Sequence, residues 1–213
     1  MTVSVIVGLG NPGRRYAATR HNVGFRIVER FAEDHGIALT GRRFEGRFGR
    51  VSVERPGGET LDVAVLEPQT YMNLSGDSVC EALRFLPVED PGRDLVVAVD
   101  DVDLPFGRLR LRPRGGAAGH RGLSHLIDRL GRSDFPRLRF GVGRPTVAME
   151  TADYVLQRFS SEEEAALEGR VAEAARAIRA IWVDGLVAAM NHYNRDPEAT
   201  PGPGALEGGN GTE

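Results

Sequence analysis

Residues 5 to 13 read Val5-Ile6-Val7-Gly8-Leu9-Gly10-Asn11-Pro12-Gly13, and the chain runs on through Arg14-Arg15-Tyr16-Ala17-Ala18-Thr19-Arg20 to His21-Asn22-Val23-Gly24. The opening is β-branched and apolar at nearly every position, the mark of a strand covered on both faces. Gly8, Gly10 and Gly13 match the G-x-G-x-x-G pattern that, after a strand, brings helix amides against a pyrophosphate. Three features speak against a nicotinamide site. Pro12 fixes φ and removes an N–H inside the loop, and the next helical period, Val23, Ile27 and Phe31 with Val28 and Ala32, begins about ten residues late. The segment 37–43 then ends in Arg42-Arg43, which suits a 2′-phosphate at most, where an acidic residue would hold a ribose. The glycines are therefore expected to let backbone and short side chains pack closely beside Asn11 and His21.

Outward from this stretch, strand and helix patterns alternate. A strand at 3–9 leads to a helix at 22–35, which Gly36 ends in the left-handed position. Residues 47–54 and 60–66 alternate around Pro56-Gly57-Gly58, a hairpin signal. The loop Glu67-Pro68-Gln69-Thr70-Tyr71-Met72-Asn73-Leu74-Ser75-Gly76 enters a helix to about 86, capped by Ser75 or Ser78. A buried strand at 95–99 empties into Asp100-Asp101-Val102-Asp103-Leu104-Pro105. Arg and Leu alternate along 107–112, as in an edge strand or one with a wet, basic face. A glycine-rich loop at 115–122, a helix to about 131, a strand at 137–143 and a helical segment at 161–193 broken near Asp184-Gly185 follow. The fold class is α/β: one domain, a twisted, mixed, mostly parallel sheet flanked by helices, with a long C-terminal helical segment. Residues 1–195 are the expected domain. Residues 196–213, rich in Pro, Gly and Glu, are the expected disordered tail.

The 213 residues, 41% of them apolar, suffice for a full core. One cysteine, Cys80, excludes an internal disulfide framework and any multi-cysteine metal site. No basic N-terminal segment precedes an apolar run and no run is long enough to span a bilayer, so a cytoplasmic protein with no membrane contact is expected. The net charge is −3, and all 27 basic residues are Arg. Between 105 and 145 ten Arg face two acids, whereas from 160 onward ten acids face four Arg. Either a solvated basic face balancing an acidic helix or a polyanion-binding surface accounts for that polarity.

In open α/β sheets ligands sit outside the carboxyl ends of the strands. Asn11 and His21 follow the first strand, Asn73 the 60–66 strand and Asp100 the 95–99 strand, so three loops bring two amides, an imidazole and a carboxylate to one rim. A carboxylate beside His21 would orient the ring and raise its basicity, making it a general base. No Ser or Cys sits in a G-x-S-x-G elbow, so the base has water to activate rather than a side-chain nucleophile. The two amides could serve a developing oxyanion. A metal site lacks H-x-x-x-H or paired-carboxylate spacing. Each residue also has a plainer reading: Asn11 as a turn former, Asn73 as a helix-entry residue, Tyr16 and Tyr71 as rim packing rather than stacking platforms.

Gly8-Leu9-Gly10-Asn11-Pro12-Gly13, Tyr16 with Thr19 to Gly24, Tyr71-Met72-Asn73-Leu74-Ser75-Gly76, Asp100 with Asp103-Leu104-Pro105, and Gly119-His120-Arg121-Gly122-Leu123 together resemble the bacterial peptidyl-tRNA hydrolase family, in order and over residues 3 to about 193. The resemblance implies a monomeric enzyme that cleaves the ester between a peptide and the 3′-terminal ribose of tRNA, recycling tRNA from abortive translation without metal or organic cofactor. It implies His21 as general base, Asp100 as its orienting partner and Asn11 as the residue that discriminates peptidyl from aminoacyl ester. Asn73 would position water and the carbonyl. Tyr16 and Tyr71 would line the cleft, His120 would contact the substrate, and Arg110, Arg112 and Arg139 would meet acceptor-stem phosphates. Two positions depart from the family. Arg121 stands where Asn is common and could pair with a phosphate instead, and Val99 stands where many members have His. The rival readings are an RNA-binding module on the same fold and, third, the dehydrogenase.

Overall fold

The computed structural model describes residues 3–54, 58 and 60–195. In chain order it contains β1 (Val3–Gly8), a 3-10 turn (Arg20–Asn22), α1 (Val23–Asp34), β2 (Gly41–Arg43), β3 (Gly46–Glu54), β4 (Thr60–Pro68), a second 3-10 turn (Met72–Leu74) and α2 (Ser75–Phe85). Then come α3 (Pro91–Asp94), β5 (Leu95–Asp101), β6 (Leu109–Arg112), α4 (Arg121–Leu130), β7 (Arg137–Gly141), α5 (Thr151–Val155), α6 (Ser161–Val183) and α7 (Leu186–Tyr193). The strands form one seven-stranded sheet in the order β2-β3-β4-β1-β5-β7-β6.

The centre of the sheet is parallel: β1 pairs with β4 and β5, and β5 with β7. These strands are buried on both faces, and all six residues of β1 are enclosed, as the unbroken apolar run of 3–8 requires. The flanks are antiparallel, β2 and β3 on one side and β6 on the other. The pairing of β6 with β7 is a second antiparallel region that the sequence pattern, which marks only the 47–66 hairpin, does not show. The hairpin turn itself and the 196–213 tail lie outside the described residues.

Two apolar layers sandwich the sheet. Ile6, Val96, Ala98, Leu138 and Phe140 face α1 and α6, while Val5, Val7, Val97 and Val99 face α2 and α4. α1 stops in a Schellman closure, Ile37 N–H to Ala32 O at 2.8 Å with Gly36 at φ 65°. The break near Asp184 is Gly185, at φ 87° between α6 and α7. The expected serine cap of α2 is not formed. The Met72–Leu74 turn runs straight into the helix, Leu74 holds the cap position without a side-chain bond, and the hydroxyls of Ser75 and Ser78 donate to Met72 O and Phe44 O.

Two glycines of the opening stretch, Gly8 and Gly10, serve packing, whereas Gly13, at φ 99° with nothing within 4 Å of its Cβ position, serves the turn. A Cβ on Gly8 would lie 2.3 Å from Gly24 O, one on Gly24 2.4 Å from Leu9 O, and one on Gly10 2.8 Å from the Phe25 ring. α1 therefore rests on β1 backbone to backbone, and the loop that a dinucleotide fold would turn directly into helix instead travels out to His21 and returns.

Candidate active site

At the C-terminal rim of the parallel centre a cleft of about 750 Å³ is lined by Asn11, His21, Tyr71, Asn73, Asp100, His120, Arg121 and Arg139, among others. Its far wall, from Pro145, Met149, Ala152, Val155 and Leu156, is apolar. That wall belongs to the segment around α5, which carries no strong helical period and which the sequence reading missed.

Asp100 lies near the end of β5, where the two layers meet at the rim. One histidine reaches it from each side: His21, entering α1, with Nδ1 at 2.7 Å from Oδ1, and His120, entering α4, with Nε2 at 3.1 Å from the same oxygen. All three are buried. Burial alone would push the Asp100 carboxyl up, but electrostatic attraction to His21 and His120 and the hydrogen bonds from both outweigh it and hold the group well below the usual carboxylate range. Asp100 is thus an anion, and His21 turns its Nδ1–H to it, which leaves Nε2 with a free lone pair.

His120 is expected from sequence as a substrate contact, yet the structure engages both of its ring nitrogens internally. Nδ1 accepts the Leu123 N–H at 3.1 Å, capping α4, so the proton resides on Nε2 and is donated to Asp100. This tautomer bears on metal binding. Ligand-type atoms of His21, Asp100 and His120 lie within 4.8 Å of one another, but an Nε2 that carries a proton has no lone pair for a metal ion, and freeing it would set Nδ1–H against the Leu123 N–H.

Asn11 is held from three directions. Its N–H donates to Asn22 Oδ1 and its carbonyl accepts from Asn22 Nδ2, both at 2.9 Å, while its Oδ1 accepts the Met72 N–H at 2.9 Å. With Oδ1 committed, the side chain offers its NH₂ to the cleft. Asn22 latches this loop, and only its place beside His21 hinted at it. Asn73, exposed in the turn before α2, lines the cleft with Asn11, whose Oδ1 holds the neighbouring Met72, and Tyr71 is 58% exposed.

The other expected contacts divide. Tyr16 is not among the cleft residues; it sits in the 13–19 loop with the Arg15 guanidinium 4.3 Å over its ring and hydrogen-bonded to its hydroxyl. Arg139 lines the cleft but pairs with Asp101 at 3.0 Å and is mostly buried, so it is no free cation. Arg110 and Arg112 point to solvent from β6, outside the cleft, and Arg121 is exposed at its edge. Asp101 and Asp103 act as turn residues: Asp101 Oδ1 accepts the Asp103 N–H at 2.9 Å.

Comparison with known proteins places these features. The family model described as peptidyl-tRNA hydrolase matches residues 5–201. The chain is 50% identical over 190 residues to a peptidyl-tRNA hydrolase of Chloroflexus aggregans, covering 89% of this chain and 98% of that one. It is 47% identical, with the same coverage, to one of Symbiobacterium thermophilum. Among solved structures, peptidyl-tRNA hydrolase from Acinetobacter baumannii superposes with a TM-score of 0.79 at 39% identity, covering 90% of this chain and 94% of that chain.

Proposed function

Because this chain belongs to the peptidyl-tRNA hydrolase family, we propose that it cleaves the ester between a peptide and the 3′-terminal ribose of tRNA with water activated by His21. The observation that carries the reading is the buried 2.7 Å contact between His21 Nδ1 and Asp100 at the head of an open cleft. Nε2 takes a proton from water as the water oxygen bonds to the ester carbonyl carbon. Charge develops on the carbonyl oxygen and is met by the amide of Asn73. The tetrahedral species then expels the 3′ oxygen, which takes the proton back from Nε2, leaving free peptide and tRNA.

Asn11 supplies selectivity. Its NH₂, left over once Oδ1 is bonded, is a donor at the cleft that a peptide carbonyl on the substrate's α-nitrogen can satisfy. A free α-ammonium offers only donors and positive charge to the same group, so aminoacyl-tRNA loses that contact. The apolar wall suits the acyl side chains, and Tyr71 offers a platform for the terminal base. Arg121 at the cleft edge and Arg110 and Arg112 on β6 are placed to meet acceptor-stem phosphates. Residues 1–195 form the catalytic unit, working as a monomer in the cytoplasm. In support, the single cysteine is buried, and no helix among the described residues is long and apolar enough to cross a membrane.

The test is hydrolysis of N-acetyl-aminoacyl-tRNA by purified protein. His21→Ala should lose about a hundredfold or more in kcat, and Asp100→Asn, which keeps the base but weakens its orientation, should lose less. Wild-type turnover in His21→Ala would exclude the general-base role, and intact RNA affinity without any turnover in the unmodified protein would favour a binding module.

A further inference from the structure

β7 carries arginines at alternate positions, and both point to the α4 side of the sheet. Arg137 is 1% exposed and heads the fully buried side chains by size. Among the described residues its guanidinium meets no carboxylate. It donates to the carbonyls of Ser133 at 2.6 Å, Phe135 at 3.2 Å, Gly116 at 3.4 Å and, closer still, Gly115, with Phe135 stacked beneath it at 4.4 Å. A buried cation without an anion is costly, and an apolar side chain of the same volume would fill the space more cheaply. Its five donors are instead spent on joining the 133–135 turn to the glycine-rich loop after β6. Burial, and then neighbouring Arg139, push its pKa down to about 10, so it still carries its charge at neutral pH.

That loop does not hold its own path. Gly115, Ala118 and Gly119 have φ of 146°, 48° and 79°, and a left-handed alanine is strained. The sheet register shows how the path is maintained. Arg137, Arg139 and Phe140 lie opposite Val97, Val99 and Asp100 on β5. The loop climbs that ladder: residues 115 and 116 rest on Arg137, Ala117 O on Arg139 Nη2 at 3.4 Å, and His120 arrives at Asp100. His120 N–H then closes back on Ala117 O at 3.0 Å.

We propose that Arg137, with Arg139 above it, is the positioning residue of the catalytic pair: it suspends the glycine-rich loop so that His120 meets Asp100, and thereby sets how the Asp100 charge is divided between two imidazoles. The inference rests on His21 acting as the base, but its geometric half stands apart from turnover. Arg137 touches no substrate and acts only through the loop.

The experiment pairs ¹⁵N-histidine NMR with pH–rate profiles on the full-length protein. In the unmodified protein His120 should show a single Nε2–H tautomer; in Arg137→Met that tautomer should be lost. With His120 withdrawn, the Asp100 charge falls wholly on His21. The acid limb of kcat/KM should then move to higher pH by about half a unit, and kcat should fall about tenfold with KM little changed. His120→Ala should give the same limb shift, and the double variant no further one. A folded Arg137→Met that keeps the His120 tautomer overturns the proposal, as does a limb shift that adds to that of His120→Ala. Should Arg137→Met not fold, Arg137→Lys is judged by the same outcomes, since one ammonium cannot span carbonyls on both segments. An inactive unmodified protein that still shows the coupled tautomer change would overturn the base reading and leave the loop device standing.

Discussion

Glu67 near the end of β4 has its side chain closed off from solvent; one oxygen meets Arg47 at 2.7 Å and the other, Oε1, has no hydrogen-bond partner. Burial first, and then the charge of Glu29, push its pKa up from 4.5 to about 8, against the pull of Arg47. Between those values the folded protein holds a proton that the unfolded chain has shed, so stability falls as pH rises through that window and levels off above pH 8. Glu67→Gln removes the titration. Urea unfolding should show it more stable than the unmodified protein by about 5 kcal/mol at pH 9, with the difference closing toward pH 5; curves that stay parallel across that range would contradict the account. Nothing in the linear sequence separates Glu67 from the other acids, because its anomaly comes from neighbours on α1 and β3. Asp100, His21, Asn11 and Asn73 were legible, since each lies at or in the loop after the end of a recognisable strand. The partner role of His120 was not, because its second hydrogen bond goes to a residue 20 positions earlier.

At the level of elements, α1 sets the site more than its length suggests. It begins two residues after His21, where the first 3-10 turn runs into Val23, and is seated on β1 through Gly24. Alanine is the better helix former by about 1 kcal/mol. A Cβ there would nevertheless lie 2.4 Å from Leu9 O and 2.6 Å from Ala98 O, both main-chain atoms that cannot swing aside. Overpacking of this kind costs about 1–3 kcal/mol or more and should win. Gly24→Ala is expected to lower the urea midpoint and also to depress hydrolysis, because His21 shifts with the helix start; full stability in this variant would show that α1 has room to move. The late start of α1 could be read from Pro12 and the spacing of Val23, Ile27 and Phe31. The second 3-10 turn could not, and it displaced the expected serine cap of α2. β2, α3 and α5 are too short to generate a period, so the apolar wall of the cleft became visible only with the fold.

Across the whole molecule, eight of the ten arginines of residues 105–145 resolve into two populations. Arg129, Arg132, Arg139 and Arg144 are tied to Asp77, Asp134, Asp101 and Asp103, and Arg137 is buried. Arg110, Arg112 and Arg121 make no ion pair among the described residues and remain exposed. Since a phosphate contact displaces about one counterion, replacing both Arg110 and Arg112 by Ala should raise KM for tRNA substrates at low salt. The dependence of log(kcat/KM) on log[salt] should become shallower by about 2, with kcat unchanged; an unaltered slope would move the phosphate track elsewhere. The sequence by itself determined the α/β class, the strand ends and the residues gathered at the rim, because periodicity and chain breaks are local properties of backbone and side chain. Only the tertiary structure decided which arginines are free, which nitrogen of His120 carries the proton, and what Gly8 and Gly10 are for. Those answers depend on partners brought together from distant segments: Gly8 against Gly24, Arg139 against Asp101, and two histidines on one buried carboxylate.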